Sequence, residues 1–153
     1  MSVIQQRSLM TLFVICQLMR PVAQAVDASD RIEGRWLTQD KAGIVSIYRL
    51  DSGEVEGRIV DGRDPERRDA NNPDPALRDG LLRGQVIRSG LRYENAGHWV
   101  GGTIYDPNNG KTYRCKVELS GENTLKIRGY VGSPLFGRTE RWTRLADSHD
   151  VER

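Results

Sequence analysis

The stretch from Trp99 to Leu119 constrains the fold more than any other, because it reads as a complete β-hairpin with its own turn. Asn108-Asn109-Gly110 supplies residues that accept the left-handed backbone of a tight loop, and Pro107 stops strand pairing just before it. After the turn, Tyr113, Cys115, Val117 and Leu119 alternate with Thr112, Arg114, Lys116 and Glu118, the period-2 pattern of a strand with one dry and one wet face. Read as a three-residue loop, the turn places Tyr105 opposite Tyr113 and Thr103 opposite Cys115. Gly110 is then a structural residue. So are Gly101-Gly102, which suit a bulge or a sharp bend in the first strand better than a phosphate-binding turn, since no helix follows them.

The remaining pattern adds neighbours to this hairpin. Arg31 to Thr38, Ile44 to Asp51 and Glu54 to Val60 read as strands, the last two joined at Ser52-Gly53. Leu82 to Ser89, extending toward Tyr93, Thr124 to Val131 and Phe136 to Leu145 read likewise. Between them, residues 61–80 form one long loop of alternating Asp and Arg, with Asp74 placed to cap a short helical turn that begins at Pro75. About eight strands in hairpin succession predict an all-β, antiparallel up-and-down barrel, since eight is a number at which a sheet can close and remove its own edges. A β-sandwich is the alternative.

Residues 1–25 read as an export signal, with Arg7 as its positive start, an apolar Leu9 to Met19 run and an Ala23-Gln24-Ala25 cleavage site. The run is too short to span a bilayer as a helix, for which about 20 residues are needed, and the large Ile15 before Cys16 argues against a lipid anchor. The barrel domain is then 26–145, with 146–153 as a flexible tail. Loss of Arg7 and Arg20 leaves the basic residues equal in number to the 21 acidic ones. A neutral domain has no excess of cations with which to displace counterions from nucleic acid, so no nucleic-acid partner is expected. Cys115 is left without an intramolecular partner and reads as a small buried apolar group.

Catalytic and metal-binding patterns are missing. The two histidines are His98 and His149, and the hairpin register puts His98 about 16 Å from Cys115 on the opposite face, so a thiol–imidazole dyad is not expected. The 61–80 loop lacks the alternating oxygen ligands and the closing Glu of a calcium loop. No catalytic residue, metal or cofactor is therefore assigned. Strand parity instead directs Trp99, Tyr105, Tyr113 and Phe136 inward, and carries Arg138 and Glu140 inward beside Trp142 on the last strand; the alternative is that these two sit at the barrel mouth or that a bulge near Gly137 turns them outward into solvent. These six residues, Trp99, Tyr105, Tyr113, Phe136, Arg138 and Glu140, are the candidate ligand-binding set. Charges in such a place are costly unless they pair or meet a polar group, which suits an amphipathic ligand.

A set of motifs spread from Gly34 to Arg144 resembles a bacterial family of exported proteins described only as a domain of unknown function. The motifs are Gly34-x-Trp36, Gly57-Arg58-Ile59-Val60, Asn72-Pro73-Asp74-Pro75, Gly101-Gly102-x-Ile104-Tyr105-Asp106-Pro107, Asn109-Gly110-Lys111-x-Tyr113, Leu125-x-Ile127-Arg128-Gly129-Tyr130, Gly137-Arg138-Thr139 and Trp142-x-Arg144. The resemblance implies a lipocalin-like barrel and no established activity. Gly-x-Trp on the first strand with Arg144 near the end of the last is similar to the closed end of lipocalin-type barrels. It implies structural roles for Gly34, Trp36, Trp142 and Arg144, with Trp36 buried beneath the Arg144 guanidinium.

Together these readings predict a monomeric exported barrel that binds a small apolar or amphipathic ligand. The alternative is an interaction module that meets a protein partner of the cell envelope through residues 61–80.

Overall fold

The structure is a computed structural model and describes residues 27–146. The predicted signal segment, Cys16, His149 and all but the first residue of the predicted tail lie outside the described residues. Eight strands run in chain order: β1 Gly34–Leu37, β2 Gly43–Arg49, β3 Val55–Gly62, β4 Val86–Asn95, β5 His98–Asp106, β6 Lys111–Ser120, β7 Thr124–Tyr130 and β8 Arg138–Arg144. Each pairs antiparallel with the next, and β8 pairs back to β1 through Trp36 opposite Arg144 and Leu37 opposite Thr143, closing the barrel. Closure gives every strand a neighbour on both sides, which protects a sheet of this size from edge-to-edge association. The sandwich alternative is excluded by the β1–β8 pairing.

The strongest alternation in the sequence becomes the most regular part of the barrel. β6 and β7 pair without interruption, with Cys115 opposite Gly129, Val117 opposite Ile127 and Leu119 opposite Leu125. Those positions face a core that also holds Ile32, Trp36, Val45, Ile47, Val55, Leu91, Trp99 and Trp142, all nearly or wholly buried. Most of this core fills the end of the barrel where β2 turns into β3, β4 into β5 and β6 into β7.

At that end Trp36 is fully buried, donates from Nε1 to Ile32 O at 2.9 Å, and has the Arg144 guanidinium carbon 4.2 Å from its ring centroid. Arg144 in turn donates to Glu33 O at 2.6 Å and Glu122 O at 2.8 Å, tying the residues before β1 to the β6–β7 turn. Gly34 permits this approach, because a Cβ there would lie 2.8 Å from Arg144 Nη1. The closed end therefore has the arrangement that the resemblance implies.

The opposite end carries the longer connections, and here three expectations need correction. The β5–β6 loop has four residues, not three. Asp106 pairs with Lys111, its carbonyl accepts from Asn109 N and Gly110 N, and its carboxylate accepts from Asn108 N. This slips the register by one from that expected: Ile104 faces Tyr113, Gly102 faces Cys115, and Tyr105 pairs with Thr112. A one-residue slip changes which residues share a rung, so Ile104 rather than Tyr105 stands opposite Tyr113. Toward the start of β5, the two residues Val100 and Gly101 stand against the single Lys116 of β6, a bulge at Gly101, whose φ is +80°. The bulge restores Trp99 to the inner face. Gly102 beside it is required by packing, since a Cβ there would lie 2.6 Å from Leu91 Cγ.

Phe136 does not begin the last strand. Ser133, whose hydroxyl accepts from Leu135 N at 3.3 Å, caps a 3-10 turn over Pro134–Phe136, and Phe136 is 85% exposed. The long connection runs from residue 63 to 85 rather than from 61 to 80, because β4 starts only at Val86. Its short helical turn, Pro75–Leu77, is capped as expected by the Asp74 side chain on Ala76 N. Leu82 belongs to this connection instead of a strand and is buried there, donating its backbone N–H to Arg67 O.

Candidate functional site

The strands do not fill the barrel to its open end. A cavity of about 450 Å³ opens among the β1–β2 turn, the 63–85 connection, the β5–β6 turn and the β7–β8 connection. Its apolar wall comes from Val45, Ile59, Ile87, Ile104, Ile127 and Trp142. Tyr113, Glu140 and Arg138 also line it. The wall is apolar because the inward positions of β2, β3, β5 and β7 carry branched aliphatic side chains. Gly129, which also lines the cavity, adds no side chain to it.

The six sequence-predicted residues separate on this frame. Tyr113 is on the lumen side, its hydroxyl accepting from Asn109 Nδ2 at 3.0 Å. Glu140 pairs with the buried Ile127 and Arg138 with Gly129, so both project toward the lumen as parity required. Glu140 is half-buried and accepts from Trp142 Nε1 at 3.3 Å, while Arg138 is exposed at the mouth. Phe136 borders the mouth from its exposed turn, corrected from an inward strand position. Trp99 is fully buried in the closed half, 5.3 Å from the Tyr93 ring, and does not line the cavity.

Tyr105 also borders the cavity, near its mouth, and anchors the long connection. Its hydroxyl donates to Asp69 Oδ1 at 2.7 Å, and Asp69 is wholly buried with Asn72 Nδ2 on its other oxygen at 2.7 Å. Burial, and the Asp69 carboxylate as hydrogen-bond partner and negative charge, push the Tyr105 hydroxyl up to about 12. Asn71 Nδ2 donates to the carbonyls of Pro107 and Asn108, and Arg67 to Asn108 Oδ1. The connection is thus bonded to the β5–β6 turn along one side of the mouth.

Arg88 was not among the expected site residues. It is 1% exposed, its guanidinium carbon stands 4.8 Å from the ring centroid of Trp142, and its Nε, Nη1 and Nη2 have no hydrogen-bond partner among the described residues. Desolvation pushes its pKa down, opposed by the nearby Cys115 and Glu140. A guanidinium nevertheless stays protonated in proteins, so a full charge sits beside the lumen. Cys115 is buried against it; burial pushes the thiol up, outweighing the Arg88 charge that favours the thiolate.

Cys115 and His98 are held apart: Cys115 faces Gly102, while His98 is exposed in the pair with Glu118 near the closed end. Among the described residues no cluster of three or more His, Cys, Asp or Glu could hold a metal, and no helix is long and apolar enough to cross a membrane.

A family model described as an uncharacterized protein conserved in bacteria (DUF2147) matches residues 34–144. Among solved structures, a protein of Helicobacter pylori described as belonging to the lipocalin family is similar at 27% identity and a TM-score of 0.69, over 76% of this chain and 84% of that one. No curated protein matches significantly. The eight-stranded closed barrel is thus lipocalin-like in fold.

Proposed function

The chain belongs to the DUF2147 family of uncharacterized bacterial proteins, and we propose that this member is an exported, monomeric binding protein that takes one small apolar or amphipathic ligand into its lumen. The observation that carries this reading is the open cavity of about 450 Å³ walled by Ile59, Ile87, Ile104, Ile127 and Trp142. Cavities of this size with aliphatic walls and a few polar groups suit small-molecule ligands, and eight-stranded barrels in general can enclose one such molecule. The lipocalin description of the H. pylori neighbour is consistent with the same use. Binding relies on burial of the ligand's apolar surface, worth about 25 cal/mol per Å² removed from water, with Tyr113, Glu140 and Arg138 setting which polar group is accepted.

Trp142 reports on the site, since it lines the lumen while Trp36 and Trp99 lie outside it. Titration with a series of medium-chain alcohols and acids should change the tryptophan emission of the wild type and leave that of Trp142→Phe nearly unchanged. An emission change that persists in Trp142→Phe, or none in the wild type across the series, would exclude the lumen as the site.

A further inference from the structure

Arg88 is the one fully buried guanidinium in the described residues, and its place in the sheet is built rather than accidental. Gly57 stands opposite it on β3, where a Cβ would come within 3.3 Å of Arg88 Cβ, so the facing strand gives up a side chain to admit it. On its other side it pairs with Ile104, a wall residue of the lumen. The side chains against its guanidinium that also line the cavity are Trp142, over whose ring it stacks, and Glu140.

A buried cation is tolerated when a counter-charge or a set of acceptors meets it. The protein groups nearby do not supply one. Glu140 attracts Arg88 but forms no ion pair with it, its Oε2 instead accepting from Trp142 Nε1 at 3.3 Å. Cys115 is held protonated by burial. Three guanidinium nitrogens without a partner therefore lie just behind the inner end of the aliphatic cavity, next to its wall residues Trp142 and Glu140 rather than in the wall itself.

We propose that the ligand is a single-tailed amphipath with a monoanionic head group, a carboxylate first, whose head is bound by Arg88 at the inner end of the lumen and whose tail points to the mouth. This rests on the lumen being the ligand site, as proposed above. The guanidinium fork matches the two oxygens of a carboxylate. Glu140 moves aside as the head arrives, since like charges at that depth repel. The tail then lies along Ile87, Ile104 and Ile127 and ends near Phe136 at the rim.

Decanoate, decyl phosphate and the neutral decanol separate the ideas when titrated against the full chain by calorimetry. Wild type should bind decanoate at least about tenfold more tightly than decanol, as expected for a charge-assisted hydrogen bond in a desolvated site. Arg88→Met should lose that preference, keep the decanol affinity and melt no lower than wild type, because it replaces an unpaired buried charge with a side chain of similar length. Arg88→Lys should keep part of the preference, and Glu140→Gln should strengthen decanoate binding even if Arg88→Met does not fold. Decyl phosphate binding more tightly than decanoate would replace the carboxylate by a phosphate head while leaving Arg88 its receptor. Equal affinity of wild type for decanoate and decanol, or an Arg88→Met variant that melts lower and keeps the preference, would overturn the role of Arg88 while leaving the lumen intact. Failure of all three to bind would overturn the lumen reading itself.

Discussion

Removing Trp36 tests whether the closed end is what locks the barrel. The indole is wholly buried, so Trp36→Ala loses its packing and leaves a void, a change that costs about 3 to 5 kcal/mol for large aromatic side chains. The Arg144 guanidinium, 4.2 Å from the ring centroid, adds a cation–π attraction of about 0.5 to 2 kcal/mol. The total, about 5 kcal/mol, is a large part of the 5 to 15 kcal/mol by which domains are usually stable. Arg144→Met would itself be destabilising, since the carbonyls of Glu33 and Glu122 lose their donor. A double-mutant cycle removes those side effects. With Trp36→Leu and Arg144→Met, urea denaturation followed by circular dichroism should give a coupling between the sites of about 0.5 to 2 kcal/mol. A coupling indistinguishable from zero, or a Trp36→Ala midpoint equal to that of wild type, would refute the view that β1 and β8 are locked by this pair.

Two further outcomes follow for the open end. Gly110→Ala places a Cβ 1.8 Å from Asn71 O at a φ of +68°, so the 63–85 connection should detach from the β5–β6 turn, seen as faster amide exchange at Asp69 and Asn72; unchanged protection there would contradict the docking. The Tyr105 hydroxyl, pushed up to about 12, stabilises the connection in its neutral, donating form, so its contribution should be intact below pH 10 and lost as pH rises through 12. Phenolate absorbance should show one late-titrating tyrosine that is missing in Tyr105→Phe.

How much of this was legible in the sequence depended on whether the strand period ran unbroken. β6 and β7 pair rung for rung, and every inward residue from Cys115 to Ile127 follows from alternation alone. Trp36 under Arg144 followed from a motif that joins the two ends of the chain, whose strand pairing local pattern does not reveal. Arg88 was hidden because β4 twice carries an extra residue against β3, between Val55 and Gly57 and again between Gly57 and Arg58. Those bulges bury both Ile87 and Arg88, whereas strict alternation turns one of two neighbours outward. The facing Gly57 and the positive φ of Gly90 were the signals present, and both need the register before they can be read. Phe136 was misplaced for a local reason: Ser133-Pro134 begins a capped turn, and a hydrophobic residue at the end of such a turn can remain in solvent.

The lumen as ligand site is tested most directly by methyl NMR on isoleucine-labelled protein titrated with decanoate. Ile59, Ile87, Ile104 and Ile127 line the cavity, while Ile32 and Ile47 are buried in the core and line no part of it. Occupancy of the lumen predicts saturable shifts at the first four and unchanged resonances at the other two. Shifts confined to other sites, or none at saturating decanoate, would contradict it.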